Sequence, residues 1–259
     1  MATQDDHVLA ADLAAGAGAL LLEVRGRLAA DGAPAAVLKD EGDRLAHAFL
    51  MDALAAARPD DAVLSEEGSG QDVHPDRATA GRTWIIDPLD GTREFGEPPR
   101  TDWAVHVALA EHGLPTAGAV ALPGLDLTLS TPDPPDASSL PPVPPAPRVV
   151  VSRTRPPAEA LAVAGALDGV LVEMGSAGAK AMAVVRGEAD VYVHSGGQYE
   201  WDNCAPAAVA AAAGLHVSRI DGSPLTYNHA DPYLPDLVIC RAELADVVLS
   251  TLSRPGHHS

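Results

Sequence analysis

Trp84-Ile85-Ile86-Asp87-Pro88-Leu89-Asp90-Gly91-Thr92-Arg93-Glu94-Phe95 is the stretch around which the chain is organised. A short apolar run ends in two carboxylates three residues apart, and a glycine and a threonine follow at once. This order suits a strand that delivers its last side chain into a cleft, turns at Pro88, and offers backbone N–H groups from Gly91 onward to an anion. Asp87 and Asp90 would meet over a hard divalent cation such as Mg²⁺, which takes oxygen ligands and keeps part of its water shell for a substrate phosphate. A surface turn is the competing reading, because Asp, Pro and Gly favour turns on their own account.

Upstream, residues 8–28 carry Leu9, Leu13, Ala17, Leu20, Val24 and Leu28 at helical spacing, which predicts a helix with one buried stripe, ended by Gly26 and the Asp31-Gly32-Ala33-Pro34 segment. Leu38-Lys39-Asp40-Glu41-Gly42-Asp43 then leads into a second periodic run through Leu45, Phe49, Ala53 and Ala56. Asp43 stands where a helix N-cap would, and it could equally face the cleft from the helix start. Ala62-Val63-Leu64-Ser65 reads as a short strand running into Glu66-Glu67. Adjacent carboxylates at a strand end repel each other, so either solvent or a nearby cation must accommodate them.

Downstream, the runs at 103–110, 117–122 and 125–129 are separated by turn signals and predict an antiparallel meander. Residues 131–147 contain eight prolines, which cannot join a ladder, and are expected to form an extended connection between an N-terminal α+β unit, 1–130, and a C-terminal α/β unit, 148–259. In the second unit, strands at 148–152, 169–174, 189–194 and 237–240 alternate with helices at 157–166, 176–186, 202–213 and 242–252, the pattern of a layered sheet with helices on its faces. Tyr199-Glu200-Trp201-Asp202 opens one of these helices, where capping alone would account for the aspartate. The paired histidines of the tail are expected to fray.

Of the 259 residues, 47% are apolar, which argues against disorder. A formal net charge of -19 with only 17 Lys and Arg excludes the electrostatic footprint of a nucleic-acid or acidic-membrane binder. It also means that bound cations and local arginines must reverse the field wherever a phosphate is to bind. Cys204 and Cys240 give no disulfide framework and no metal-ligand spacing. No stretch reaches 18 apolar residues without polar interruption, and the first residues lack a basic region before an apolar one, so a cytoplasmic location is expected.

Asp87-Pro-Leu-Asp90-Gly-Thr92 with Phe95 resembles the signature of the inositol monophosphatase superfamily of Mg²⁺-dependent, lithium-sensitive phosphatases. Gly91-Thr92-Arg93-Glu94-Phe95 is more similar to the bacterial CysQ-type 3′(2′),5′-bisphosphate nucleotidases than to the inositol enzymes, and Asp43-Arg-Leu-Ala-His47, Glu66-Glu67 and Trp201-Asp202-Asn-Cys-Ala-Pro206 resemble further family segments, in family order. The resemblance implies an αβαβα layered sandwich. It implies that Glu66, Asp87, Asp90, Asp202 and the carbonyl of Leu89 hold two or three Mg²⁺ ions, with Glu67 in support. It also implies that Gly91 and Thr92 bind phosphate and that Asp43 with Thr92 orients the attacking water.

Arg153 and Arg155 lie in a segment similar to the Val-Ser-Arg-Ser stretch of the nucleotidases, and arginine forks suit phosphate oxygens. Lys180 follows a Gly-Ser helix start like theirs with one residue more between serine and lysine; Tyr199 is available to stack on a base, and Arg93 belongs to the nucleotidase-like signature. The substrate implied is a small phosphorylated nucleotide, 3′-phosphoadenosine 5′-phosphate, with its 5′-phosphosulfate analogue as a second candidate and a place in sulfate assimilation. An inositol or sugar monophosphatase and a non-catalytic phosphate-ligand-binding protein are the alternatives, and both monomers and homodimers occur among such relatives.

Overall fold

The Thr3 hydroxyl accepts from Asp6 N–H at 3.3 Å while the Asp6 carboxylate accepts from Thr3 N–H at 2.9 Å, a reciprocal cap that starts the first helix. That helix, α1, therefore runs Gln4–Ala30, one turn earlier than its apolar spacing predicts, in the computed structural model, which describes residues 1–68 and 76–253. The paired tail histidines lie outside the described residues. By length and composition α1 is apolar enough to cross a membrane, and here its stripe of Ala10, Leu13, Ala17, Leu21 and Val24 is buried against α2 and the first sheet.

The second helix, α2, spans Ala35–Ala57 with Pro34 at its cap. This corrects the sequence reading of Asp43 as an N-cap: it lies inside the helix, because Pro34 presets the entry and the charged run at 39–41 is helical rather than looped. The buried stripe is Leu38, Gly42, Ala46, Leu50 and Leu54, one position away from the expected one, and Phe49 keeps 37% of its surface exposed.

Two five-stranded sheets follow. The first contains β1 (Ala62–Ser65), β2 (Arg82–Asp90), β3 (Ala104–Glu111), β4 (Leu114–Leu122) and β5 (Leu127–Ser130) in chain order, with β1 parallel to β2 and the rest an antiparallel meander. The second has β6 (Arg148–Ser152), β7 (Val170–Met174), β8 (Val191–Ser195), β9 (His216–Ser218) and β10 (Asp236–Cys240) in the order β7-β6-β8-β10-β9. Its helices are α4 (Ala158–Ala166), α5 (Ala177–Val185), α6 (Glu200–Ala212) and α7 (Ala245–Leu252), and the four-residue α3 (Thr92–Phe95) follows β2. The predicted last helix begins as a 3-10 turn at Ala242–Leu244, and β9 has no counterpart in the sequence reading.

The helices α1 and α2 cover one face of the first sheet, α5 and α6 fill the space between the sheets, and α4 with α7 cover the far face of the second, giving five αβαβα layers. Both faces of β3 are buried, so large residues Val105, Val107 and Leu109 meet α1 and α2 while small Ala104, Ala108 and Ala110 turn toward α5 and α6. The small residues leave room there for one larger side chain, that of His106.

Candidate active site

β2 does not end at Asp87. It pairs Asp87 with His106, slips register over Pro88 and Leu89, and resumes with Asp90 opposite Ala104. This corrects the expected turn at Pro88: proline has no N–H for the ladder, and the strand absorbs it as a bulge. Residues three apart in a regular strand point to opposite faces, whereas the extra bulge residue brings Asp87 and Asp90 to the same one. Leu89 N–H donates to Asp87 Oδ1 at 3.1 Å and fixes the bend. Gly91 then takes φ 84°, a left-handed conformation natural to glycine, with Trp103 and Ser176 too close for a Cβ.

Asp202 enters from the other side, in the first turn of α6. Its Oδ2 accepts Tyr199 N–H at 2.7 Å, so the capping role read from sequence is real. Its carboxylate also faces the bulge: Asp87, Asp90 and Asp202 offer oxygens within 4.8 Å of one another. Glu66 is exposed as a residue, yet its carboxyl is turned inward against Asp87. Burial and the charges of Glu66, Asp90 and Asp202 push Asp87 well above the usual carboxylate range, and burial with the charge of Asp90 raises Asp202 to about 7. Glu66 is raised as well, first by burial.

Asp90 behaves differently. Burial would raise it, but it is held below its ordinary value by His106 and by Gly178 N–H. Its Oδ1 accepts Ala177 N–H at 3.1 Å and its Oδ2 accepts Gly178 N–H at 2.6 Å, both from the first turn of α5. His106, fully buried, places Nε2 at 3.1 Å from Asp90 Oδ2 and Nδ1 at 3.0 Å from the Trp201 carbonyl. Both ring nitrogens lie close to acceptors, and the nearness and charge of Asp90 raise the ring's pKa against the opposing effect of burial. Gly178 is required beside it, since a Cβ there would stand 2.1 Å from Nε2. Sequence reasoning missed His106; the signal was a lone polar ring on the small-residue face of an otherwise apolar strand.

Asp43 reaches the site from the inner turns of α2. Burial raises its carboxyl to about 7, followed by the charges of Glu67, Glu66 and Asp40, while the Thr92 hydroxyl favours its ionised form. That hydroxyl also lies 3.2 Å from the Leu89 carbonyl, which joins three of the expected residues, Asp43, Leu89 and Thr92, in one neighbourhood. Glu67 is exposed at its edge.

The expected anion contacts are less uniform. Lys180 is 4% exposed; its ammonium donates to the carbonyls of Gly175 and Ser176, in the latter case at 2.7 Å, and lies 5.4 Å over the Tyr192 ring. The group ties down the turn that leads into α5. Arg153 is bound by Glu94 at 2.6 Å and Glu97 at 2.8 Å, so an anion there must compete with two carboxylates. Arg93 and Arg155 are exposed and form no ion pair among the described residues. Tyr199 stacks on Trp201 with ring centroids 4.8 Å apart and meets the edge of Tyr233 at 5.5 Å.

Three carboxylates converge, with Glu66 turned against one of them, and all the donors are oxygens. Such a nest fits a hard divalent cation, whose binding would relieve the repulsion that raises Asp87 and Asp202.

Comparison with known proteins gives the same direction. Residues 4–253 match the inositol monophosphatase family. A 3′-phosphoadenosine 5′-phosphate phosphatase of Mycobacterium leprae is 51% identical over 257 residues, covering 95% of this chain and 93% of the relative. The 3′(2′),5′-bisphosphate nucleotidase CysQ of Escherichia coli is 33% identical over 206 residues, covering 74% of this chain and 80% of the other. Among solved structures, inositol monophosphatase-II from Staphylococcus aureus superposes with a TM-score of 0.80 over 99% of this chain and 98% of its own, at 19% identity.

Proposed function

Because this chain belongs to the inositol monophosphatase family, we propose that it is a Mg²⁺-dependent phosphatase that removes the 3′-phosphate of 3′-phosphoadenosine 5′-phosphate, releasing AMP and phosphate. The observation that carries the substrate is the extent of identity with the mycobacterial phosphatase named for that reaction. The phosphosulfate analogue carries the same 3′-phosphate and is the second substrate of this reading.

Asp87, Asp90 and Asp202, with Glu66 and the Leu89 carbonyl, are the residues to hold the cations, two or three Mg²⁺ in number. When bound, the ions neutralise phosphate oxygens and lower the pKa of water. The chain's own residues supply the rest. Thr92 and Asp43 orient the water, and Asp43, with its affinity for a proton near neutrality, takes that proton. Gly91 and Thr92 present backbone N–H groups to the phosphate at the turn into α3. Arg93 and Arg155, which form no ion pair among the described residues, meet anionic oxygens, Arg153 does so by exchanging Glu97, and Tyr199 offers a face to the adenine.

Phosphate release from 3′-phosphoadenosine 5′-phosphate and from inositol 1-phosphate, measured side by side with Mg²⁺ and with chelator, tests this. A Mg²⁺-dependent preference for the nucleotide is expected. Preference for the inositol ester would keep the cation site and overturn the substrate.

A further inference from the structure

Glu200 is fully buried and has no Arg or Lys partner among the described residues. Asp190, as deeply enclosed, is neutralised by Arg148 and Arg241. Glu200 instead accepts Asn228 N–H at 2.6 Å and His229 N–H at 2.8 Å, and its carboxylate is 2.7 Å from Nδ1 of the half-exposed His229. A buried carboxylate is costly, and an apolar residue of similar volume would often serve stability as well. Its geometry here defines a connection: Glu200 is the first residue of α6, two before Asp202.

The loop that Glu200 grips is held from the opposite side by the first sheet. Arg77, 6% exposed, donates to Asn228 Oδ1 at 2.8 Å and to the His229 carbonyl at 2.9 Å, and Asn228 Nδ2 returns a bond to the Arg77 carbonyl at 2.9 Å. Arg77 opens a 3-10 turn packed on β1, the strand that delivers Glu66. Tyr227 N–H donates to the Gly113 carbonyl of the β3–β4 hairpin at 3.0 Å. Farther along the same loop, the Pro232 carbonyl accepts Glu200 N–H at 2.9 Å and Leu234 N–H donates to the Gln198 carbonyl at 3.0 Å. Asn228 takes φ 66°, a left-handed conformation that asparagine and glycine tolerate best.

We propose that Arg77, Asn228 and Glu200 form a strap that fixes Asp202 against Asp87 and Asp90, and so act as positioning residues for the cation site. This rests on the proposed function, in which Asp202 shares cations with those two residues. The carboxylates of β2 and of α6 come from elements in different layers, so the distance between them is set by whatever ties α6 to the first sheet. The strap adds to the direct packing of α6 on β2, β3 and β4 and to the His106–Trp201 contact, and it does so without touching a ligand oxygen. A rigid supporting shell governs cation affinity more than the rate of the loaded enzyme.

The test is calorimetric titration of Mg²⁺ into the full-length protein and its Arg77→Met, Asn228→Gly and Glu200→Gln variants, with thermal stability and steady-state kinetics on the same samples. Glycine at 228 keeps the backbone conformation and removes only the side-chain bonds, which secures a folded variant. Mg²⁺ affinity is expected to fall about 10-fold or more in each variant. The kcat at saturating Mg²⁺ should stay within about twofold of the parent. Arg77→Met with Asn228→Gly should weaken binding no more than the stronger single change, because both cut the same link. Asp190→Asn, a buried carboxylate outside the strap, should lower stability and leave Mg²⁺ affinity unchanged. Variants that lose stability yet bind Mg²⁺ like the parent would overturn the strap and leave the proposed function standing. A parent protein that binds no Mg²⁺ would overturn both.

Discussion

His106 Nε2 stands 3.1 Å from Asp90 Oδ2, on a face of β3 otherwise lined by alanine, and the opposite edge of the same ring meets the Trp201 carbonyl at 3.0 Å. One buried ring thus touches the bulged strand and the turn that carries Asp202. The ring holds Asp90 below its ordinary value among neighbours that drive Asp87 and Asp202 toward the protonated form.

Removing that ring while keeping much of the shape should therefore weaken the cation site. His106→Gln is expected to cost about 10- to 100-fold in Mg²⁺ affinity or activity, the range typical of residues that orient ligands without binding the ion. Mg²⁺ titrations of activity and of binding check it. Asp90→Ala, by contrast, should abolish turnover at any Mg²⁺ concentration while the fold persists by circular dichroism. Parent-like activity in Asp90→Ala would remove it from the site.

The pH dependence of the metal-free protein has a definite sign. Asp43 and Asp202 are each raised from 3.8 to about 7, in both cases first by burial and then by neighbouring carboxylates. Between these values the folded state holds protons that the unfolded chain has released, so stability is greatest at the acid end of the window and falls as pH rises through 7. Asp90, lowered rather than raised, is ionised in both states there and adds no slope. In chelator, Tm should fall from about pH 5 to about pH 8, and the Tm gain on adding Mg²⁺ should widen over the same range because the cation binds carboxylates. A chelated protein that becomes more stable toward pH 8 would contradict the raised pair.

Thr92 and Asp43 make a separable prediction, since neither belongs to the trio of converging carboxylates. Loss of a general base costs about 10²- to 10⁴-fold. Asp43→Asn should lower kcat in that range with Mg²⁺ binding near parental. Thr92→Ala should lower it too, and Thr92→Ser should restore much of the loss because only the hydroxyl is needed. The double variant should be little worse than Asp43→Asn alone if the pair works on one water. Single-turnover phosphate release at saturating Mg²⁺ is the measurement.

The converging acids could be read from the sequence because each lies beside a clear local signal: an apolar run before Asp87, a short strand before Glu66, a capped helix at Asp202. The layered fold was legible for the same reason, through apolar alternation and proline punctuation. What could not be read depended on partners distant in the chain. His106 acquires its meaning from a carbonyl 95 residues away. Arg153 reads as an unpaired arginine, and its pairing with Glu94 and Glu97 joins it to residues 59 and 56 positions away. The start of α2 was hidden because Lys39-Asp40-Glu41 resembles a loop by charge, while Leu38 and Gly42 on either side face the core.

In the proposed function, the aromatic group beside Asp202 makes nucleotide recognition separable from cation chemistry. Tyr199, 39% exposed, lies nearly parallel to Trp201, with an interplanar angle of 8°, and Tyr233 closes one edge at 73°. A base laid on this surface would gain about 1–3 kcal/mol from stacking, so Tyr199→Ala should raise KM for 3′-phosphoadenosine 5′-phosphate by roughly 5- to 150-fold. The effect should vanish for a small phosphate ester without a base, because Tyr199 contributes to the site only a backbone N–H bound to Asp202, which alanine retains. Tyr199→Phe should behave like the parent, since stacking needs the ring and not the hydroxyl. Equal losses on both substrates would instead mean that the side chain holds the start of α6, and the adenine would have to be sought nearer Arg93 and Arg155.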